Sequence, residues 1–308
     1  MFPGNGNGNA QMRPPCLWHN NCLNFEKFYD GPLEHVIIID ILNIALPLLY
    51  FLLVWVYGKA FFADISWAKE LKSKLLFGII LIHLVYLLDR TFVFDHAPAT
   101  TIFEILTLLA FSVAVSYAFI ERLSRAKETG YFILNIAFFF QLASSLFIKD
   151  LLEVPDVLRN PLFAAHVTSA LLGYAAITIS AVYGFLYLML YHEIKASKFG
   201  VIYQKLPNLE TLERMSFIAI AMAFGLLTLA IVFGFIWLPR AFEDFSYLDP
   251  KLVGTLLIWG MYGMGIIAKK RGGWTGRRVM ILSVFGFVFT ILSMTVVNML
   301  FSKFHNFH

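Results

Sequence analysis

Residues 160–190 read NPLFAAHVTSALLGYAAITISAVYGFLYLML. From Pro161 to Leu190 there is no Asp, Glu, Lys or Arg, and His166 is the sole ionisable side chain apart from tyrosine. About 20 such residues already form a helix that crosses the ~30 Å hydrocarbon core of a bilayer. A lone water-soluble domain has no use for so long an uncharged run. The stretch is therefore read as a membrane helix, tilted or extended beyond the lipid because it exceeds the minimal length.

The rest of the chain agrees. Of its 308 residues 59% are hydrophobic, 17% aromatic and 14% charged, whereas a soluble domain carries about 25% charged residues. Eight apolar stretches have spanning length: 35–58, 74–94, 99–120, 130–148, 161–191, 215–238, 252–268 and 279–301. Only helices and closed barrels satisfy their backbone within lipid, and runs of this length are helical. The expected fold is all-α, a polytopic membrane bundle of about eight helices spanning 35–304. A flexible tail, 1–34, precedes it.

Sixteen of the 24 Lys and Arg fall in the connections 59–74, 121–129, 192–214 and 269–278. Positive-inside then places these in the cytoplasm and both termini outside. The expected location is the cytoplasmic membrane. The basic residues are dispersed along membrane connections, so the net charge of +4 does not point to nucleic acid. Both cysteines, Cys16 and Cys22, lie in the tail and fit neither a CxxC nor a CxxCH spacing. They read equally well as a disulfide or as two free thiols.

Four histidines stand out. His166 lies one or two turns below the outer surface in the fifth stretch. His305 follows the last. His96 sits in the outer connection after the second stretch, and His83 near the middle of that stretch. An ionisable group at membrane depth is expensive and marks a functional candidate; for His83 the alternative is a neutral imidazole hydrogen-bonded across helices. Neutral imidazole ligates zinc, copper or haem iron. Zinc favours more ligands, often cysteine. Haem needs one or two axial ligands and an aromatic enclosure, which Trp237, Phe242, Phe245 and Tyr247 in the segment 237–251 offer. The same aromatics also suit a loop seated at the membrane interface. His19, His35, His192 and His308 read as exposed or interfacial polar residues.

Several stretches carry a resemblance. DHAPATTIFEILTLLAF (95–111) is similar to a loop and helix of the form GHxPLSNLYESLxFLxW, keeping His96, Pro98 and Glu104. The stretch from Asn160 matches a long helix beginning P…HV…GYA through Pro161, His166, Gly173 and Tyr174. Near the end, Trp274, Gly276, Gly286, Phe287, Asn298 and His305 match GWxG…GF…VNLLxxGLHSY. Together they resemble the CcsA/ResC/HemX-like haem-handling proteins of cytochrome c assembly, from about residue 80 to 306.

The resemblance implies a haem b held at the outer face by axial ligands at His166 and His305, under a tryptophan-rich "WWD" loop. It further implies an apocytochrome c CxxCH substrate, a ResB/CcsB-like membrane partner, and participation in a haem lyase that forms thioethers. The loop departs from the family. GxxWxxxxWGSYWSWDPKE becomes GFIWLPRAFEDFSYLDPKL (234–252): Trp237, Asp249, Pro250 and Lys251 remain, but three tryptophan positions hold Phe242, Ser246 and Leu248, and Phe245 replaces a tyrosine. The histidine that haem-translocating members carry in the seventh span is also missing near Ile267, so His83 would have to serve any intramembrane haem station. Asp249 is expected to orient the loop, and Lys251 to pair with a haem propionate. Two other readings stand beside this one: a HemX-like regulator or haem-binding protein without ligase activity, and a haem-free structural subunit of a membrane complex.

Overall fold

The computed structural model describes residues 33–124, 126–149, 154–197, 200–241 and 248–293. Cys16, Cys22, Phe242, Phe245 and His305 lie outside the described residues, as does the side chain of Lys251. Among the described residues all regular structure is helical. The helices are α1 (Leu33–Phe62), α2 (Ser66–Phe94), α3 (Ile102–Ser124), α4 (Gly130–Phe147), α5 (Pro161–Lys195), α6 (Val201–Lys205), α7 (Leu209–Ala241), α8 (Pro250–Lys270) and α9 (Arg277–Leu292). Seven of them, α1–α5, α7 and α8, are long and apolar enough to cross a membrane. Helix α9 is described over 16 residues; the remainder of the expected eighth span lies outside the described residues. The protein is a multi-pass membrane protein. Its apolar exterior fits lipid rather than water: Ile44, Leu48 and Phe92 are 68%, 64% and 80% exposed.

Local signals set the helix ends. Asn160 caps α5, its Oδ1 accepting from the Leu162 N–H at 2.9 Å, with Pro161 at the first helical position. Thr101 and Glu104 form a capping box at the start of α3. The Glu104 N–H donates to Thr101 Oγ1 (3.1 Å), and the Thr101 N–H donates to Glu104 Oε2 (3.2 Å). The second oxygen, Glu104 Oε1, accepts from Arg90 Nη2 at 3.2 Å, and both residues are buried. Phe94 and Tyr86 pack on the Arg90 guanidinium. Arg90 thus pairs with another helix, while its neighbour Asp89 faces His35 at 3.6 Å.

The helices form two rings of four. In the first, α1 packs on α2 and α4, and α3 on α2 and α4; in the second, α5 and α8 each pack on α7 and α9. Helix α3 joins the rings through α5 and α7. The α5–α7–α9 seam is close. Ser180, Ser216 and Ser283 share hydrogen bonds across it, and a Cβ on Gly184 would stand 3.1 Å from the Met280 carbonyl oxygen. Small residues let membrane helices approach where water supplies no hydrophobic drive. At one end of the second ring, Glu213 accepts from Lys269 Nζ (2.6 Å) and from the Gly276 N–H (2.9 Å), tying α7 to α8 and to the start of α9.

The connection 149–160 contains a 3-10 turn at Asp156–Arg159, with Val154 and Leu158 buried. Its residues 150–153 are outside the described ones.

Candidate functional site

The start of α5, the end of α7, the α2–α3 connection and the 3-10 turn meet at one end of the molecule. Their contact is a small apolar cluster of Ala99, Val154, Leu158, Phe163 and Trp237. Asp95 and Arg159 fasten the connection to the turn at 3.1 Å. Trp237 is 2% exposed and packs against Phe163 at 5.1 Å between ring centroids. The indole is therefore a buried wall.

His166 lies against this wall. Its ring is inclined 25° to Trp237, with centroids 6.4 Å apart, and the residue is half-buried. Nδ1 is 2.8 Å from the Ala230 carbonyl oxygen. A carbonyl only accepts, so Nδ1 carries a proton. In the neutral ring Nε2 is then the nitrogen whose lone pair ligates a metal. Gly234 makes this approach possible, because a Cβ there would sit 3.0 Å from both Nδ1 and Cε1. The donor chemistry at His166 fits an axial haem ligand. Ala230 and Gly234 escape a sequence reading aimed at side-chain chemistry; the available signal was the glycine three positions before Trp237 in the WWD-like motif.

Asp249 occupies the residue before Pro250, the first residue of α8, and its carbonyl accepts from the Val253 N–H at 3.0 Å. Asp–Pro is thus a helix start, with Asp at the N-cap position and Pro at N1. That anchors the far end of the 237–251 segment. Leu248, at a tryptophan position of the motif, is 82% exposed. His96 lies at the same end of the molecule but is nearly buried. Its Nδ1 is 3.0 Å from the Ala97 carbonyl oxygen, and its ring faces Phe94.

His83 is elsewhere. It is fully buried in the first ring, and both nitrogens are engaged: Nδ1 with the Tyr50 hydroxyl and Nε2 with Thr107 Oγ1, each at 3.0 Å. Thr107 donates onward to Gln141 Oε1 (2.7 Å), and Gln141 Nε2 to Ser145 Oγ (3.0 Å). Since Thr107 spends its proton on Gln141, His83 donates from Nε2 and accepts from Tyr50 at Nδ1. Helices α1, α2 and α3 each give one residue to this layer and α4 gives two, Gln141 and Ser145. The structure brings Trp237 to His166, sets Asp249 at the start of α8, and keeps His83 in the other ring.

Comparison with known proteins gives the same lineage. The chain is 26% identical over 239 residues to Protein HemX of Brevibacillus brevis, covering 72% of this chain and 85% of that protein. It is 26% identical over 232 residues to the cytochrome c biogenesis protein CcsA of Guillardia theta, covering 69% and 77%. With CcsA of Prochlorococcus marinus strain MIT 9301 it shares 25% over 294 residues, 86% of this chain and 93% of the relative. The family model described as cytochrome C assembly protein matches residues 67–305, from the start of α2 past α9. The chain belongs to the cytochrome c assembly protein family.

Proposed function

We propose that this protein binds haem b at the end of the bundle where α5 begins and α7 ends, and that it acts there in cytochrome c biogenesis. The observation that carries the proposal is the His166 Nδ1–H bond to the Ala230 carbonyl, the kind of second bond that orients a metal-ligating histidine and supports Nε2 as the ligand nitrogen. In this reading His305 is the second ligand. In this reading the bundle sits in the cytoplasmic membrane with the His166 end and both termini outside, an orientation that the excess of Lys and Arg in the opposite connections supports. A bound haem would supply an axially ligated iron and vinyl groups able to accept the thiolates of an apocytochrome c CxxCH segment.

The chain's own part is positioning. Trp237 and Phe163 back the imidazole and hold off lipid. Asp249 and Pro250 fix the end of the segment 237–251 at the start of α8. Lys251 is assigned to a propionate, and a ResB/CcsB-like membrane protein is the expected partner. His96 braces the α2–α3 connection. His83 is assigned to the polar layer of the first ring, since both its nitrogens are already bonded.

One observation favours a second reading. Leu248, 82% exposed, stands where the family motif has a tryptophan, and a flat π-face there is what a porphyrin would stack on. A HemX-like protein that binds haem or regulates its synthesis without attaching it would tolerate that loss.

Purified protein from haem-replete cells should show a Soret band that is lost in His166→Ala and in His305→Ala. Absence of any Soret band in the wild type would leave the haem-free structural reading. Deleting the gene should abolish c-type cytochromes if the protein serves their assembly; their persistence alongside a haem-loaded protein would select the HemX-like reading.

A further inference from the structure

We infer that helix α7 carries a three-point cradle for His166 — an acceptor at Ala230, an absent side chain at Gly234 and a stacking plane at Trp237 — which fixes both the tautomer and the tilt of the imidazole. The inference rests on the proposal that His166 is a haem ligand, and it adds residues that do not themselves touch the iron.

The spacing 230, 234, 237 runs along one face of a helix with 3.6 residues per turn. Each position does a different job. Ala230 presents its carbonyl oxygen at 2.8 Å to Nδ1. Helix geometry already gives that oxygen to the N–H four residues on, and the second lone pair serves the imidazole. Gly234 leaves a notch into which the ring edge fits, with Nδ1 and Cε1 both 3.0 Å from where a Cβ would stand. Trp237 sets the inclination at 25° and is itself immobilised by Phe163. The acceptor is a carbonyl, so the neutral ring carries its proton at Nδ1 and its lone pair at Nε2. A shift of α7 along or about its axis would therefore re-aim the imidazole. Gly234 is accordingly a positioning residue.

The control lies on the same helix. Gly225 has no atom within 4 Å of the position a Cβ would take, so Gly225→Ala makes the same chemical change without touching His166. Two measurements on full-length protein in nanodiscs decide the matter. The first uses 15N-histidine NMR of haem-free protein, with His166 assigned by difference from His166→Ala. It should show an Nδ1–H tautomer in the wild type and in Gly225→Ala, and a mixture of tautomers in Gly234→Ala. The second is haem titration. Gly234→Ala should bind haem about 10- to 100-fold more weakly, the usual effect of losing an outer-shell partner, while Gly225→Ala matches the wild type. An Nε2–H tautomer in the wild type overturns the cradle. So does equal haem affinity in the two glycine variants when His166→Ala abolishes binding. If the wild type shows the Nδ1–H tautomer but takes up no haem, the haem reading fails and the cradle stands as a device for orienting His166.

Discussion

At the scale of single residues, the two informative histidines inside the described bundle sit in different settings. His166 bonds the Ala230 carbonyl through Nδ1 beside Trp237, whereas His83 gives both nitrogens to helix packing in the first ring. Interhelical hydrogen bonds in membranes contribute about 0.5–2 kcal/mol each, because the partners find substitutes when separated. Tyr50→Phe and Thr107→Val should each destabilise the protein by about that much. Both bonds run through one imidazole, so the double variant should lose less than the sum. Unfolding titrations in mixed micelles would show it; strict additivity would mean that the layer is not a network. The sequence marked His83 as worth attention because it is ionisable and lies in an apolar run. What it lacked was the partner list. Tyr50, Thr107 and Gln141 are spread over three other helices, and only the packing of α1 to α4 into a ring brings them to one depth.

At the scale of helices, start signals carry much of the organisation. Glu104 is both the capping residue of α3 and the counter-charge of Arg90. Removing one partner of a buried pair strands the other, at a cost of about 3–5 kcal/mol. Glu104→Ala should fall in that range. Glu104→Gln should lose less, since it keeps an acceptor for the cap. Thermal unfolding of both variants gives the comparison, and equal losses would mean that the charge is irrelevant. Gly276 tells a similar story before α9. Its φ is +55°, and a Cβ would stand 2.8 Å from the Tyr187 hydroxyl. Gly276→Ala should therefore cost about 1–3 kcal/mol by the same measurement, whereas Gly260→Ala, which meets nothing within 4 Å, should be neutral or better. The helices themselves were legible in the chain because lipid demands length and apolarity, and the observed limits of α4 and α8 lie within two residues of the expected ones. The short helix α6 was not expected. Five residues at Val201–Lys205 make too brief a pattern to rise above the surrounding loop.

For the whole molecule, the seam of α5 with α7 and α9 decides how the second ring closes. Ser283 is fully buried there, among Ser180 and Ser216. Ser283→Ala should be tolerated within about 1 kcal/mol, since helices in lipid gain little from a single hydroxyl pair. Ser283→Leu should cost about 1–3 kcal/mol through overpacking. It should also weaken any haem signal, because α5 carries His166 and α7 carries its cradle. A full Soret band in Ser283→Leu would separate the seam from the site. Composition and repeated apolar runs revealed a helical membrane protein, and the motif order revealed its lineage. The division into two rings, and the burial of Trp237 behind His166, depend on contacts between distant segments, for which a linear pattern carries no sign.

The pairing of Arg90 with Glu104 also bears on how the chain is made. Until α3 emerges from the ribosome, α2 carries a bare guanidinium one turn from its end, an expensive group to leave facing acyl chains. The translocon is therefore expected to release α2 and α3 as one charge-neutral hairpin. A glycosylation-site reporter should show α2 incompletely inserted in a chain stopped after Phe94 and fully inserted in one stopped after Ser124, and Arg90→Leu should abolish the difference.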